Sequence, residues 1–124
     1  MNEMKAIPII ENLFHSFPNI RYVALYWNNE LVFKQKEETQ DSSSGETDRF
    51  EELLVNPTLL TLATQRGNID CGGLDYLLIA YGNFHQLVKT ISNGHVSICL
   101  DKNSDLNNLP KEIFLFLKEN HNIQ

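Results

Sequence analysis

The sequence has no apolar run near the roughly 20 residues that cross a bilayer. Its opening residues, Met1-Asn2-Glu3-Met4-Lys5, lack the basic region and apolar stretch of a secretion signal. Both absences point to a cytoplasmic protein that does not insert in membranes. Cysteine is scarce. Cys71 stands beside Gly72-Gly73 and Cys99 lies in an alternating run, so they form no CxxC pair and are expected as reduced thiols. Clustered Lys and Arg are also missing. Phosphate-backbone binding depends on such clusters, so nucleic acid is not an expected partner.

Site chemistry is equally sparse. His15, His85, His95 and His121 make no HxH or HExxH spacing, and zinc needs three or four converging ligands. His85 and His95, on adjacent expected strands, read as a cross-strand surface pair. The stretch Gly67 to Gly73 holds no GxGxxG or P-loop pattern. Asp101-Lys102-Asn103-Ser104-Asp105 lacks the mid-loop glycine and closing glutamate of a calcium loop. Cys71 has neither a neighbouring base nor a helix N-terminus to activate it. No metal, no cofactor and no catalytic residue is expected, and the chain reads as a non-enzyme.

What is present is a globular composition: 124 residues, 42% apolar, with seven Phe, four Tyr and one Trp. That is one domain, 1–124, able to bury roughly two-thirds of its unfolded surface. The net charge of −6 is local. Seven acids and only Arg49 fall between Glu37 and Glu52, and the remainder balances. Residues 37–48, centred on TQDSSSGET, read as a mobile acidic Ser-rich loop, since they offer too little apolar surface to offset ordering.

Periodicity supplies the elements. Ala6, Ile10, Leu13, Phe14 and Phe17 make one helical face, with Pro8 in the first turn and Phe17-Pro18 at the end. Ile20 to Trp27 and Glu30 to Lys36 form a hairpin around Asn28-Asn29. Phe50, Leu53 and Leu54 resume helical spacing. Asn56-Pro57 kinks or splits that helix, and Thr58 to Arg66 continues it until Gly67-Asn68. Leu74 to Ala80, Phe84 to Ser92 and His95 to Asp101 form a meander with turns at Gly82-Asn83 and Asn93-Gly94. A closing helix carries Leu109, Ile113, Phe116 and Leu117. The order α-β-β-α-β-β-β-α, with tight turns, requires an α+β fold: a five-stranded antiparallel sheet covered by helices.

Two features invite a partner. Leu74 to Ala80 carries only Asp75 as a charge, and an apolar edge strand recruits another chain. The middle helix is apolar on more than one side, at Leu53, Leu54, Leu59, Leu60 and Leu62.

With its hairpin RYVALYWNNELVFKQ, its strands DYLLIAYGN, FHQLVKTIS and HVSICLDKNSDLNN, and its closing helix LPKEIFLFLKE, the chain resembles the Roadblock family over nearly its whole length. The resemblance implies a Roadblock/profilin-like fold and a non-enzymatic interaction module. It implies pairing through the third strand and middle helix, as a homodimer or a heterodimer with another Roadblock-like chain. Carried over by position, Phe50, Leu53, Leu54, Leu60, Tyr76 and Leu78 belong to the dimer or partner interface. It further implies a scaffold or regulator, with a small Ras-like GTPase among its partners. The alternative is a small-molecule-binding sensor of PAS/profilin-like architecture, its pocket lined by Tyr22, Tyr26 and Trp27.

Overall fold

The computed structural model describes residues 3–36 and 44–124. Helix α1 spans Glu3–Ser16, strands β1 and β2 span Ile20–Trp27 and Glu30–Gln35, and helix α2 spans Gly45–Phe50. A π-helical segment, Glu51–Val55, runs into α3, Asn56–Asp70. Strands β3, β4 and β5 span Leu77–Ala80, Phe84–Ile91 and Gly94–Asp101, and α4 spans Leu109–His121. The five strands form one antiparallel sheet in the order β2-β1-β5-β4-β3.

Alternation along the strands gives the sheet two covered faces. Val23 and Leu25 of β1, Leu87 of β4, and Val96, Ile98 and Leu100 of β5 point to one side. There they meet Ala6, Ile9, Ile10 and Leu13 of α1 and Ile113 and Leu117 of α4 in the main core. After α4, Asn122 turns left-handed (φ 55°). The Ile123 amide then donates to the Leu117 carbonyl at 3.1 Å. This is a Schellman-type cap, and it returns Ile123 to the same core. On the other side Tyr22, Ala24, Gln86, His95, Ser97 and Cys99 lie beneath the continuous rod from Gly45 to Asp70.

The α-β-β-α-β-β-β-α order is present as expected, and β1 begins and ends where its sequence predicts. Several details differ. Pro8 sits one turn further inside α1, because the helix starts at Glu3. Of the expected acidic loop, 37–43 lies outside the described residues, whereas Gly45 to Asp48 are helical. Ser44 starts that helix, its hydroxyl accepting from the Thr47 amide at 3.1 Å. Pro57 does not interrupt the helical run: it occupies the first turn of α3, directly after the π-helical segment, where the lost N–H costs little. Gly67 does not end the helix. It is buried within it because a Cβ there would meet the Gly73 carbonyl carbon at 3.0 Å. Strand β3 is shorter than expected, starting at Leu77. The β4–β5 turn is Ser92-Asn93, with Asn93 at φ 65°, and Gly94 already pairs with Ile91. Asn28 and Asn29, both at positive φ, make the β1–β2 turn.

Candidate functional site

The rod is turned the opposite way from an ordinary amphipathic helix. Asp48, Glu52 and Asn56, spaced four residues apart, lie on one face and are all buried against the sheet. Phe50, Leu53, Leu54, Leu59, Leu62 and Ile69 face outward, with Leu62 60% and Ile69 76% exposed. Of the leucines that make the rod apolar on more than one side, Leu53, Leu54, Leu59 and Leu62 are exposed and only Leu60 is buried. Polar residues hold it down and apolar ones meet solvent.

The inward seam is a hydrogen-bonded network. Gln35 Nε2 donates to Asp48 Oδ2 at 2.9 Å. The fully buried Glu52 carboxylate receives three groups. The Tyr22 hydroxyl donates to Oε2 at 2.8 Å, Asn56 Nδ2 donates to Oε1 at 2.9 Å, and His95 Nε2 lies 2.9 Å from Oε1. Tyr26 stacks on the His95 ring at 5.6 Å between centroids. Beside this, Gln86 Nε2 donates to the Ser97 hydroxyl at 2.7 Å. Asn56 Oδ1 and Gln86 Oε1 are buried and receive no hydrogen bond from the described residues. His85 and His95 are both buried, and each sits opposite another residue in the register: His85 against Leu100, His95 against Thr90. They are not a surface pair.

Electrostatics follow from three acids gathered under one rod. Burial, then the nearby Glu52 carboxylate, pushes the Tyr22 hydroxyl far above its ordinary value, so it remains a donor. Burial, then Glu51 and Glu52, raises the Cys99 thiol well above the usual range, which removes its nucleophilic character. Glu51 is also raised, chiefly by burial, with hydrogen bonds from Gln86 and Asn56 pulling the other way. Tyr81, just past β3, is raised by burial and by Glu51. Arg21 skirts the cluster, 5.4 Å above the Phe84 ring and 3.9 Å from Asp101 Oδ1. Enclosed on all sides, the network fixes the rotation of the rod. Its bonds are directional, and each unmade one is costly in a dry interior.

The sheet edges differ. β2 carries exposed Glu30 and Lys34, and Lys34 is ion-paired to Glu11. β3, at the opposite edge, has no charge between Leu77 and Ala80. α3 lies over neighbouring β4, and its Gly67 touches the lead-in to β3 at Gly73 and Leu74. The free apolar edge and the outward leucines therefore share one margin of the molecule.

No protein-family model matches the chain, and no curated protein matches it.

Of the residues assigned to an interface, the structure brings Phe50, Leu53 and Leu54 together on the outer face of the rod. Leu78 is 38% exposed on β3, but it points to the α1–α4 side, opposite Leu87. Tyr76 is half-buried on that same side, its ring 5.4 Å from Phe114. Leu60 is turned into the sheet and buried. Leu59 and Leu62, read from the sequence as part of a partner-seeking helix though not assigned to the interface, also face outward; sequence reasoning missed Ile69 and the whole inward polar seam. Tyr22 and Tyr26, considered as pocket walls, belong to that seam, while Trp27 borders a small hollow of about 150 Å³ near the chain end. Among the described residues no helix is long and apolar enough to cross a membrane.

Proposed function

We propose that the chain is a cytoplasmic, non-enzymatic interaction module of Roadblock type. It pairs with a second copy of itself through the β3 edge and the outer face of the rod, and serves as a scaffold or regulator with a small Ras-like GTPase as client. The observation that carries this reading is the inverted rod. Six large apolar side chains stand out from a helix whose polar face is already used against its own sheet. Single exposed leucines are ordinary, but a row of them beside an unpaired strand edge is the surface that pairing buries. β-augmentation across β3 would extend the sheet, and the leucines of two rods would cover one another.

The test is mass in solution. Light scattering after size exclusion should give about twice the 14.3 kDa chain mass for the wild type. Leu54→Glu with Leu62→Glu, both at exposed positions, should reduce it to that of one chain without loss of secondary structure. A monomer across a wide concentration range would overturn the reading. The client is tested by titrating Ras-like GTPases, loaded with GDP or a GTP analogue, onto the pair.

A further inference from the structure

On the face of the sheet away from the rod, a groove of about 350 Å³ opens between α4 and the ends of β3 and β4. Ligand pockets begin near that size. Its floor is core: Ile91, Val96, Leu117 and Ile123. Tyr76 and Phe114 form a wall. Its rim carries three ammonium groups. Lys89 is engaged, donating to the Asp75 carbonyl at 2.8 Å and to its carboxylate at 3.0 Å, and lying 5.5 Å over the Phe114 ring. Lys111 and Lys118 make no ion pair among the described residues. Seven residues apart, they stand on one face of α4, two turns from each other.

We infer that this groove binds a single-chain fatty-acid-type carboxylate, its tail on the apolar floor and its head group between Lys111 and Lys118. A cationic amphiphile would meet the lysine ammonium groups, since the one acidic side chain in the lining, Asp75, is already held by Lys89. A neutral apolar ligand would leave the two ammonium groups unused. Each further methylene buried strengthens binding, so affinity rises with chain length until the floor is filled. The groove lies across the sheet from the outward leucines of the rod, and its floor is Ile91, Val96, Leu117 and Ile123 rather than the β3 edge, so ligand binding is read separately from pairing.

The experiment is an amide-shift NMR titration of the full chain with sodium dodecanoate below its micelle concentration. Saturable shifts are expected at Val96, Phe114, Leu117 and Ile123. Dodecyltrimethylammonium and dodecanol should bind the wild type about tenfold more weakly or worse. Lys111→Glu with Lys118→Glu, at exposed positions, should weaken dodecanoate by about the same factor with an unchanged thermal midpoint. The inference is overturned if dodecanoate produces no saturable shift, if the double variant keeps wild-type affinity, or if the shifts fall on Leu53 to Leu62 instead. It is equally overturned if an acidic amphipathic peptide displaces dodecanoate at lower concentration, or if the groove shifts appear from protein concentration alone, which would assign it to a peptide or to a second copy.

Discussion

At the scale of single residues, the most exacting position is Gly94. A Cβ there would stand 1.7 Å from the Tyr26 carbonyl oxygen, inside the β1–β5 ladder, where no side chain can yield. Gly94→Ala is expected to cost more than about 4 kcal/mol and to abolish cooperative unfolding by circular dichroism. Gly45→Ala, with nothing within 4 Å, should stabilise by about 0.5–1 kcal/mol in the same assay. Glu52 is the next most sensitive. Its removal in Glu52→Ala strands the Tyr22 hydroxyl, the Asn56 amide and the His95 ring nitrogen, and urea denaturation should show a loss of about 3–5 kcal/mol. Glu51 behaves oppositely. Its raised value means the folded state holds the proton that the unfolded chain releases near 4.5, so stability falls as pH rises through the folded value. Glu51→Gln should therefore melt higher than wild type at pH 7. The gap should close as pH drops below 4.5, and a gap that persists at pH 3 would contradict the sign.

At the scale of elements, the π segment holds one residue more than an α-turn would. The Asn56 amide reaches back to the Glu51 carbonyl five residues earlier. That extra residue offsets Leu53 and Leu54 outward while Glu52 and Asn56 stay inward. Deleting Leu54 should turn the segment into plain α-helix, keep the register of the seam on both sides, and leave the chain folded. It should also remove part of the outer apolar row, so the deletion is expected to weaken self-association in sedimentation without lowering helicity. Strands were legible because β-branched and aromatic runs ended at Asn-Asn, Gly-Asn and Asn-Gly pairs, which have few other uses. The rod was not. Its leucines were readable as a surface inviting a partner, but their spacing does not show which side of the rod meets the sheet when that sheet face is polar. The available signal was the four-residue rhythm of Asp48, Glu52 and Asn56 together with the polar alternation of His95 and Ser97 on β5. Gly67 was misread because a glycine needed for close packing and one needed to stop a helix look the same in one dimension.

For the whole molecule, the fold is a sheet with unlike coverings. One face is closed by α1 and α4 over an aliphatic core, the other by a rod on hydrogen bonds. If pairing occurs on the rod side, the melting temperature should rise with protein concentration, by mass action on the folded pair. The variant with Leu54→Glu and Leu62→Glu should melt at one temperature regardless of concentration. Where the residues assigned to an interface would sit was legible only in part, for a geometric reason. Successive strand residues point to opposite faces, so Leu78 and the leucines of the rod end on different sides of the sheet although both flank β3.

The inward seam has a consequence for assembly. Greasy helices commonly need a partner before they sit still, and their subunits are then inseparable. Here the clamp beneath the rod is made of directional bonds internal to the chain, complete before any neighbour arrives. If two copies pair as proposed, each would keep its shape when they part, and exchange would be governed by how quickly two leucine rows let go.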